Sequence, residues 1–193
     1  MLENETSAIE RGSAVLGEYL GGGIASECED LFSVRADGDG LSRAIELALN
    51  DAQFKPSDIG MIVAHGDGTR TSDASEATAL LQVFGSGMPP VTGFKWAIGH
   101  LFAAAGLLEV TVGLNACRRK VVPSIANLEQ KAAACTGLNV SEQARFTQRY
   151  CAGVVSRICG RQCRRVVTCD KLVRLFQQTR CNHLLDVLPP KPC

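Results

Sequence analysis

Residues 61–73 read Met61-Ile62-Val63-Ala64-His65-Gly66-Asp67-Gly68-Thr69-Arg70-Thr71-Ser72-Asp73. An apolar run gives way to a small, polar, glycine-punctuated loop, and an Ala-rich helical segment follows. That order is strand, loop, helix, the unit from which layered α/β proteins are assembled. Small residues let a ligand approach the backbone closely. Open α/β sheets place ligands at the carboxyl ends of their strands, which is where His65 stands. The loop lacks the GKS or GKT ending of a phosphate-binding loop.

Working outward, Ala14 to Ser26 reads as an irregular strand broken by three consecutive glycines. Leu41, Ala44, Ile45, Ala48 and Leu49 have helical spacing, predicting a helix over Gly40 to Phe54 that Lys55-Pro56-Ser57-Asp58 ends. Ile59 to Ala64 is a short buried strand. Ser72 and Asp73 are predicted to cap a helix that runs to about Phe84 and stops at Gly85. Val91 to Phe94 is a second short strand. A long Ala/Gly/Leu helix follows from about His100 to Arg118, and Lys120 to Leu128 is extended. The alternation predicts an α/β layered fold.

The chain has 193 residues, enough for one large domain, and 46% of them are hydrophobic. The polar, acidic start, MLENETSAIERG, is no signal peptide. The longest apolar stretch, Ala97 to Leu114, carries His100 and Glu109, which indicates a buried helix rather than a membrane span. A cytoplasmic protein is expected, with neither nucleic acid nor membrane as a partner. Net charge is +0 but unevenly spread. Residues 149–193 hold nine Lys/Arg and two Asp/Glu, so +7, and the remaining eleven and eighteen give −7. Six of the nine cysteines lie at or after Cys151. The break divides the chain into a domain over residues 1–140 and a degenerate or frameshifted Cys/Arg-rich tail over 141–193. Cys159, Cys163, Cys169 and Cys181 never form the CxxC pair of a zinc site, so no metal is expected.

Phe94-Lys95-Trp96-Ala97-Ile98-Gly99-His100 is a second loop that follows a strand and precedes a helix. Histidines on neighbouring strand ends can converge on one pocket. Near the positive pole of its helix, His100 is expected to favour the neutral imidazole, which can donate one N–H to a developing oxyanion. Glu109 interrupts an apolar helix: it either reaches solvent or is buried with a partner, for which Lys95 is the candidate.

Together, "AHGDGTRTSDASEA", "FKWAIGHLFAAAGLLE" and "VVPSIANL" resemble the C-terminal half of a β-ketoacyl-[acyl-carrier-protein] synthase. His65, Thr69, Asp73 and Glu76 match its HGTxTxxxDxxE motif. Lys95, Gly99, His100, Ala104, Ala105, Gly106 and Glu109 match KxxxGHxxxAAGxxE, and Val122, Pro123, Asn127 and Leu128 match VPPTxNL. The likeness runs from about Leu2 to Leu128. It implies half of a thiolase-like α/β/α fold, a mixed central sheet covered by helices.

The resemblance implies a decarboxylative Claisen condensation of an acyl thioester with malonyl on an acyl carrier protein, in fatty-acid or polyketide synthesis. His65 and His100 are the implied donors to the enolate oxygen, Lys95 holds the electrostatics of the site, and Glu109 and Asp73 support it. Thr69 is the implied pantetheine contact, and Asp67 stands where the family has a pantetheine-binding threonine. No cofactor is implied beyond the phosphopantetheine that carries the substrate. The implied partners are an acyl carrier protein and an N-terminal ketosynthase half or homologous subunit, in a homo- or heterodimer. Alone, such a chain would expose apolar surface, as from Gly99 to Leu114.

Three departures stand out. Asp67 beside His65 is expected to raise the proton affinity of that histidine, against its part as a neutral donor. The nucleophilic cysteine, which the family places at a strand-to-helix elbow, has no counterpart here. Cys135 sits past the Asn-Leu motif and is not that nucleophile, so the chain alone is expected to be inactive. The alternatives are a non-catalytic or split-gene subunit that needs an N-terminal partner, or a decayed gene product. Finally, the GFGGTNA-like loop is absent, and residues 156–165 read Ser-Arg-Ile-Cys-Gly-Arg-Gln-Cys-Arg-Arg instead. One synonymous coding of Arg157 to Arg164, read one base later, encodes Gly-Phe-Ala-Ala-Gly-Asn-Ala, which is the basis for a frameshift between about Val140 and Arg157.

Overall fold

A computed structural model describes residues 3–27 and 34–140, with the backbone strands 144–145, 152–155, 158–160 and 166–174. The elements are α1 (Glu5–Glu10), β1 (Glu18–Glu27), α2 (Asp39–Asp51), β2 (Ile59–Val63), α3 (Arg70–Phe84), β3 (Val91–Thr92), α4 (Lys95–Ile98), α5 (Ala105–Arg118), β4 (Val121–Val122), β5 (Ala144–Arg145), β6 (Ala152–Val155), β7 (Ile158–Gly160) and β8 (Val166–Arg174).

The main sheet runs β1-β8-β6-β2-β3, with β7 joined to β8. It is mixed. β2 pairs in parallel with β3 and with β6, while β8 is antiparallel to β1, β6 and β7. Every residue of β2 is buried, as a strand covered on both faces requires. Ile59 and Ile62 join Leu41, Ile45, Leu49, Leu80 and Phe84 in one core, beneath α2 and α3. Met61 and Val63 join Phe94, Ala116, Cys117 and Val122 in a second, beneath α5. The two cores make the α/β/α layering.

The structure revises several expected boundaries. β1 passes unbroken through Gly21-Gly22-Gly23, because the glycines make room for α2. A Cβ at Gly21 would lie 2.8 Å from the Ala52 nitrogen, and one at Gly23 would run into the Ala44 carbonyl. α3 begins at Arg70 with Thr69 as its N-cap residue, so Asp73 lies in the first turn and is not the cap. The Thr69 hydroxyl does not cap the helix either; it donates to Asp67 Oδ1 at 2.9 Å. The helix expected from His100 starts only at Ala105 and is preceded by the short α4. His100 therefore stands in the connecting loop and not at a helix pole.

α1 was not expected. Its signal was Asn4, whose side-chain oxygen accepts from the Ser7 N–H at 2.8 Å as an N-cap. The tail supplies β6, which lies between β2 and β8. The side chains of residues 156–165, on which the frameshift expectation rests, lie outside the described residues, as do the tail cysteines. Of the tail's backbone, strands β6, β7 and β8 are described. Of the apolar stretch expected to be exposed, Leu101 (42%), Phe102 (77%) and Leu107 (58%) are at the surface, while Ala105, Gly106 and Gly113 are buried. Among the described residues, no helix is long and apolar enough to cross a membrane.

Candidate active site

His65 follows the last residue of β2 but one and is 3% exposed. Its backbone is held from α3: Glu76 accepts the His65 N–H at 2.7 Å with Oε1 and the Gly66 N–H at 3.0 Å with Oε2. A buried carboxylate that takes two backbone donors is a strong clamp. The loop then turns through two left-handed glycines, Gly66 (φ 47) and Gly68 (φ 83). Asp73 accepts the Gly68 N–H at 3.3 Å. Burial holds its carboxyl above the usual range, and Asp67 adds to the effect.

Lys95 opens α4 beside β2. Its Nζ donates to the His65 carbonyl and lies 2.6 Å from Glu109 Oε1. Lys95 is 8% exposed and Glu109 fully buried, so Glu109 does not reach solvent. Glu109 Oε2 has no hydrogen-bond partner among the described residues. A buried pair of this kind holds its geometry because either charge alone would be costly there. The lysine ties three elements together: the end of β2, α4 and α5.

His100 is exposed, and its ring meets that of His65 edge to face, with centroids 5.3 Å apart at 77°. Gly99 (φ 72) turns the chain outward before it. His100 Nδ1 accepts the Phe102 N–H at 3.0 Å. A neutral imidazole whose Nδ1 accepts must carry its proton on Nε2. The backbone of Phe102, itself left-handed at φ 46, thus sets the tautomer.

The His65 imidazole is held well below its ordinary value of 6.5, at about 4. Burial is the largest cause, followed by the charge of Lys95; Asp67 acts in the opposite direction and is outweighed. Asp67 does raise the proton affinity of His65, in the expected direction, but burial and Lys95 outweigh it and the ring stays a neutral donor. Asp67 Oδ2 stands 3.5 Å from His65 Nε2, while Oδ1 accepts the Thr69 N–H at 2.8 Å and the Thr69 hydroxyl at 2.9 Å.

The structure thus brings His65, His100, Lys95 and Glu109 together, with Asp67, Thr69 and Asp73 along the rim. Glu76, matched in the motif but given no part from sequence, is the residue that fixes the loop. Its signal was a carboxylate among the alanines and serine in the middle of α3. The part of the Phe102 N–H left no signal, because it belongs to the backbone. Among the described residues, the cysteines are Cys117, which is buried, and Cys135, whose thiol burial pushes up. Neither has the setting of a thiolate nucleophile. No group of three or more His, Cys, Asp or Glu there suits a metal ion.

Chemically, the site offers two facing imidazoles, of which buried His65 is a neutral donor, backed by the buried Lys95. Residues 16–129 match the family described as Beta-ketoacyl synthase, C-terminal domain. The chain is 32% identical over 137 residues to the actinorhodin polyketide putative beta-ketoacyl synthase 1 of Streptomyces coelicolor, covering 70% of this chain and 29% of that protein. It is 35% identical over 117 residues to the chloroplastic 3-oxoacyl-[acyl-carrier-protein] synthase I of Arabidopsis thaliana, covering 60% and 25%. It therefore spans less than a third of the length of these curated relatives. Among solved structures, the ishigamide ketosynthase/chain length factor superposes with a TM-score of 0.79 at 25% identity, covering 91% of this chain and 42% of that one. A type II acyl-carrier protein complex with its hexaketide-bound ketosynthase gives 0.78 at 24% identity, covering 91% and 42%. With the motif match and the thiolase-like layering on record, the chain belongs to the beta-ketoacyl synthase family, of which it carries the C-terminal domain.

Proposed function

We propose that the chain supplies the His/His/Lys half of a decarboxylative condensing site that acts on thioesters carried by the phosphopantetheine of an acyl carrier protein. The observation that carries this reading is the convergence of His65 and His100 in front of the Lys95–Glu109 pair. Loss of CO2 from a malonyl thioester leaves an enolate, and N–H donors aimed at its oxygen lower that barrier. The depressed proton affinity of His65 keeps it a neutral donor at neutral pH. The Thr69 hydroxyl donates its one O–H to Asp67, so it meets a pantetheine N–H as an acceptor. The attacked acyl group is held on a cysteine outside these 193 residues, in an N-terminal half or a homologous subunit.

The test is reconstitution. The chain is mixed with a separately produced N-terminal ketosynthase half bearing its cysteine, together with malonyl and acyl groups on acyl carrier protein. Condensation should need both chains and fall at least about a hundredfold with His65→Ala or His100→Ala. Acyl transfer to this chain alone, or equal activity in the histidine variants, overturns the reading.

A second reading, a non-catalytic subunit of a heterodimer, is favoured by Asp67 Oδ2 facing the His65 nitrogen that the reaction needs. Under it, the histidine variants leave the activity of the assembled pair unchanged. For the tail, we propose the frameshift stated above. The coding DNA through residues 140–165 tests it: the shifted frame must encode a Gly-Phe-x-x-x-Asn-Ala string.

A further inference from the structure

Asp67 is the one polar side chain at the histidine pair to which the condensation assigns no part. It is well ordered by its surroundings. Left-handed glycines flank it, and Thr69 holds Oδ1 through both its N–H and its hydroxyl. That leaves Oδ2 turned toward the ring nitrogen of His65, 3.5 Å away. Among the described residues, from its own loop it faces His65, which is neutral at pH 7. From α3 it faces Asp73, a second carboxylate. Behind His65, the cation of Lys95 is already engaged by Glu109 and the His65 carbonyl.

We propose that Asp67 is a specificity-determining residue, turning this site against acyl thioesters that carry a free carboxylate and toward those whose acyl group is uncharged. The inference rests on the reading that a thioester carbonyl docks at the histidine pair. The carboxylate of a malonyl group lies two bonds from that carbonyl carbon. It therefore comes within the screening length of about 8 Å from Oδ2, in a setting where the His65 side is dry. Like charges facing one another in a binding site weaken the wrong partner selectively. An uncharged acetyl group meets no such repulsion. The enolate oxygen formed at the same nitrogen meets the same charge, so condensation through this loop runs slower with Asp67 than with an uncharged side chain in its place.

The experiment measures binding of two non-hydrolysable probes by calorimetry to the chain assembled with the N-terminal ketosynthase half used for reconstitution: acetyl-pantetheine and malonyl-pantetheine, each with an amide in place of the thioester. The readout is the ratio of the two affinities within each variant, so that losses common to both ligands cancel. Wild type should favour the acetyl probe by about tenfold or more. Asp67→Asn, which keeps the shape, and Asp67→Thr should each bring the ratio down to within about twofold of unity. A ratio unchanged in both variants overturns the inference and leaves the proposed function standing. Failure of both probes to bind any of the three proteins overturns the proposed function, and the inference with it.

Discussion

The imidazoles of His65 and His100 stand edge to face with their centroids 5.3 Å apart, one ring buried and the other exposed. Separate strand–loop units deliver them, and Lys95 bridges the two by donating to the His65 carbonyl from the first turn of α4. The pair is thus asymmetric: burial sets the proton affinity of His65, and a backbone N–H sets the tautomer of His100.

The first prediction concerns pH. His65 is held at about 4 against an unperturbed 6.5, so between these values the unfolded chain binds a proton that the folded chain refuses. This contribution to stability is complete above about pH 6.5 and is lost as pH falls toward 4, a drop of the order of 3 kcal/mol. Histidine-resolved NMR titration should show His65 neutral at pH 6. Asp67→Asn should lower its midpoint further, because Asp67 opposes the burial. A midpoint near 6.5 in the wild type refutes the prediction.

The Lys95–Glu109 pair can be broken from one side or from both. Lys95→Met leaves Glu109 charged and buried, with a predicted loss of about 3–5 kcal/mol. The double variant Lys95→Met with Glu109→Leu should recover much of that loss, since no uncompensated charge remains. Urea unfolding of the two single variants and the double closes the cycle. Equal losses in the single and double variants contradict the argument.

Glu76→Gln keeps the size of the side chain but sets an amide against two backbone N–H donors. Only its carbonyl oxygen accepts, so one of the bonds to His65 and Gly66 is lost. We expect a loss of about 1–3 kcal/mol and faster amide hydrogen exchange at His65 and Gly66. Exchange no faster than in wild type would show that the clamp is not what holds the loop.

Gly23→Ala places a Cβ against the Ala44 carbonyl, and the α2 backbone cannot turn away as a flexible side chain would. The predicted cost is about 3 kcal/mol, read as a lowered thermal midpoint. Gly12→Ala is the control of opposite packing. It meets nothing nearby, and its penalty comes only from a φ of 65.

Much of this was legible in the sequence, because its signals are local. The helical spacing of Leu41, Ala44, Ile45, Ala48 and Leu49 placed α2, and the apolar run from Ile59 placed β2. Both histidine loops followed from residue types at set spacings, and Lys95 was a candidate partner for Glu109. Only the fold decided that Glu109 is buried with it and does not reach solvent. The three glycines misled, since a run that looks like a strand breaker in isolation is what lets α2 lie against β1.

By itself, the sequence determined the order of strands and helices, the family, and which side chains can do chemistry. Those depend on a few residues at a time and on periodicities of two and 3.6. The tertiary structure alone decided that β6 lies between β2 and β8, that His100 leaves its helix, and that His65 stays neutral although Asp67 is two residues away. The physical reason is that a proton affinity is a sum over everything that surrounds the group. At His65, burial under several elements and a lysine from a different loop outweigh the nearest neighbour in the chain.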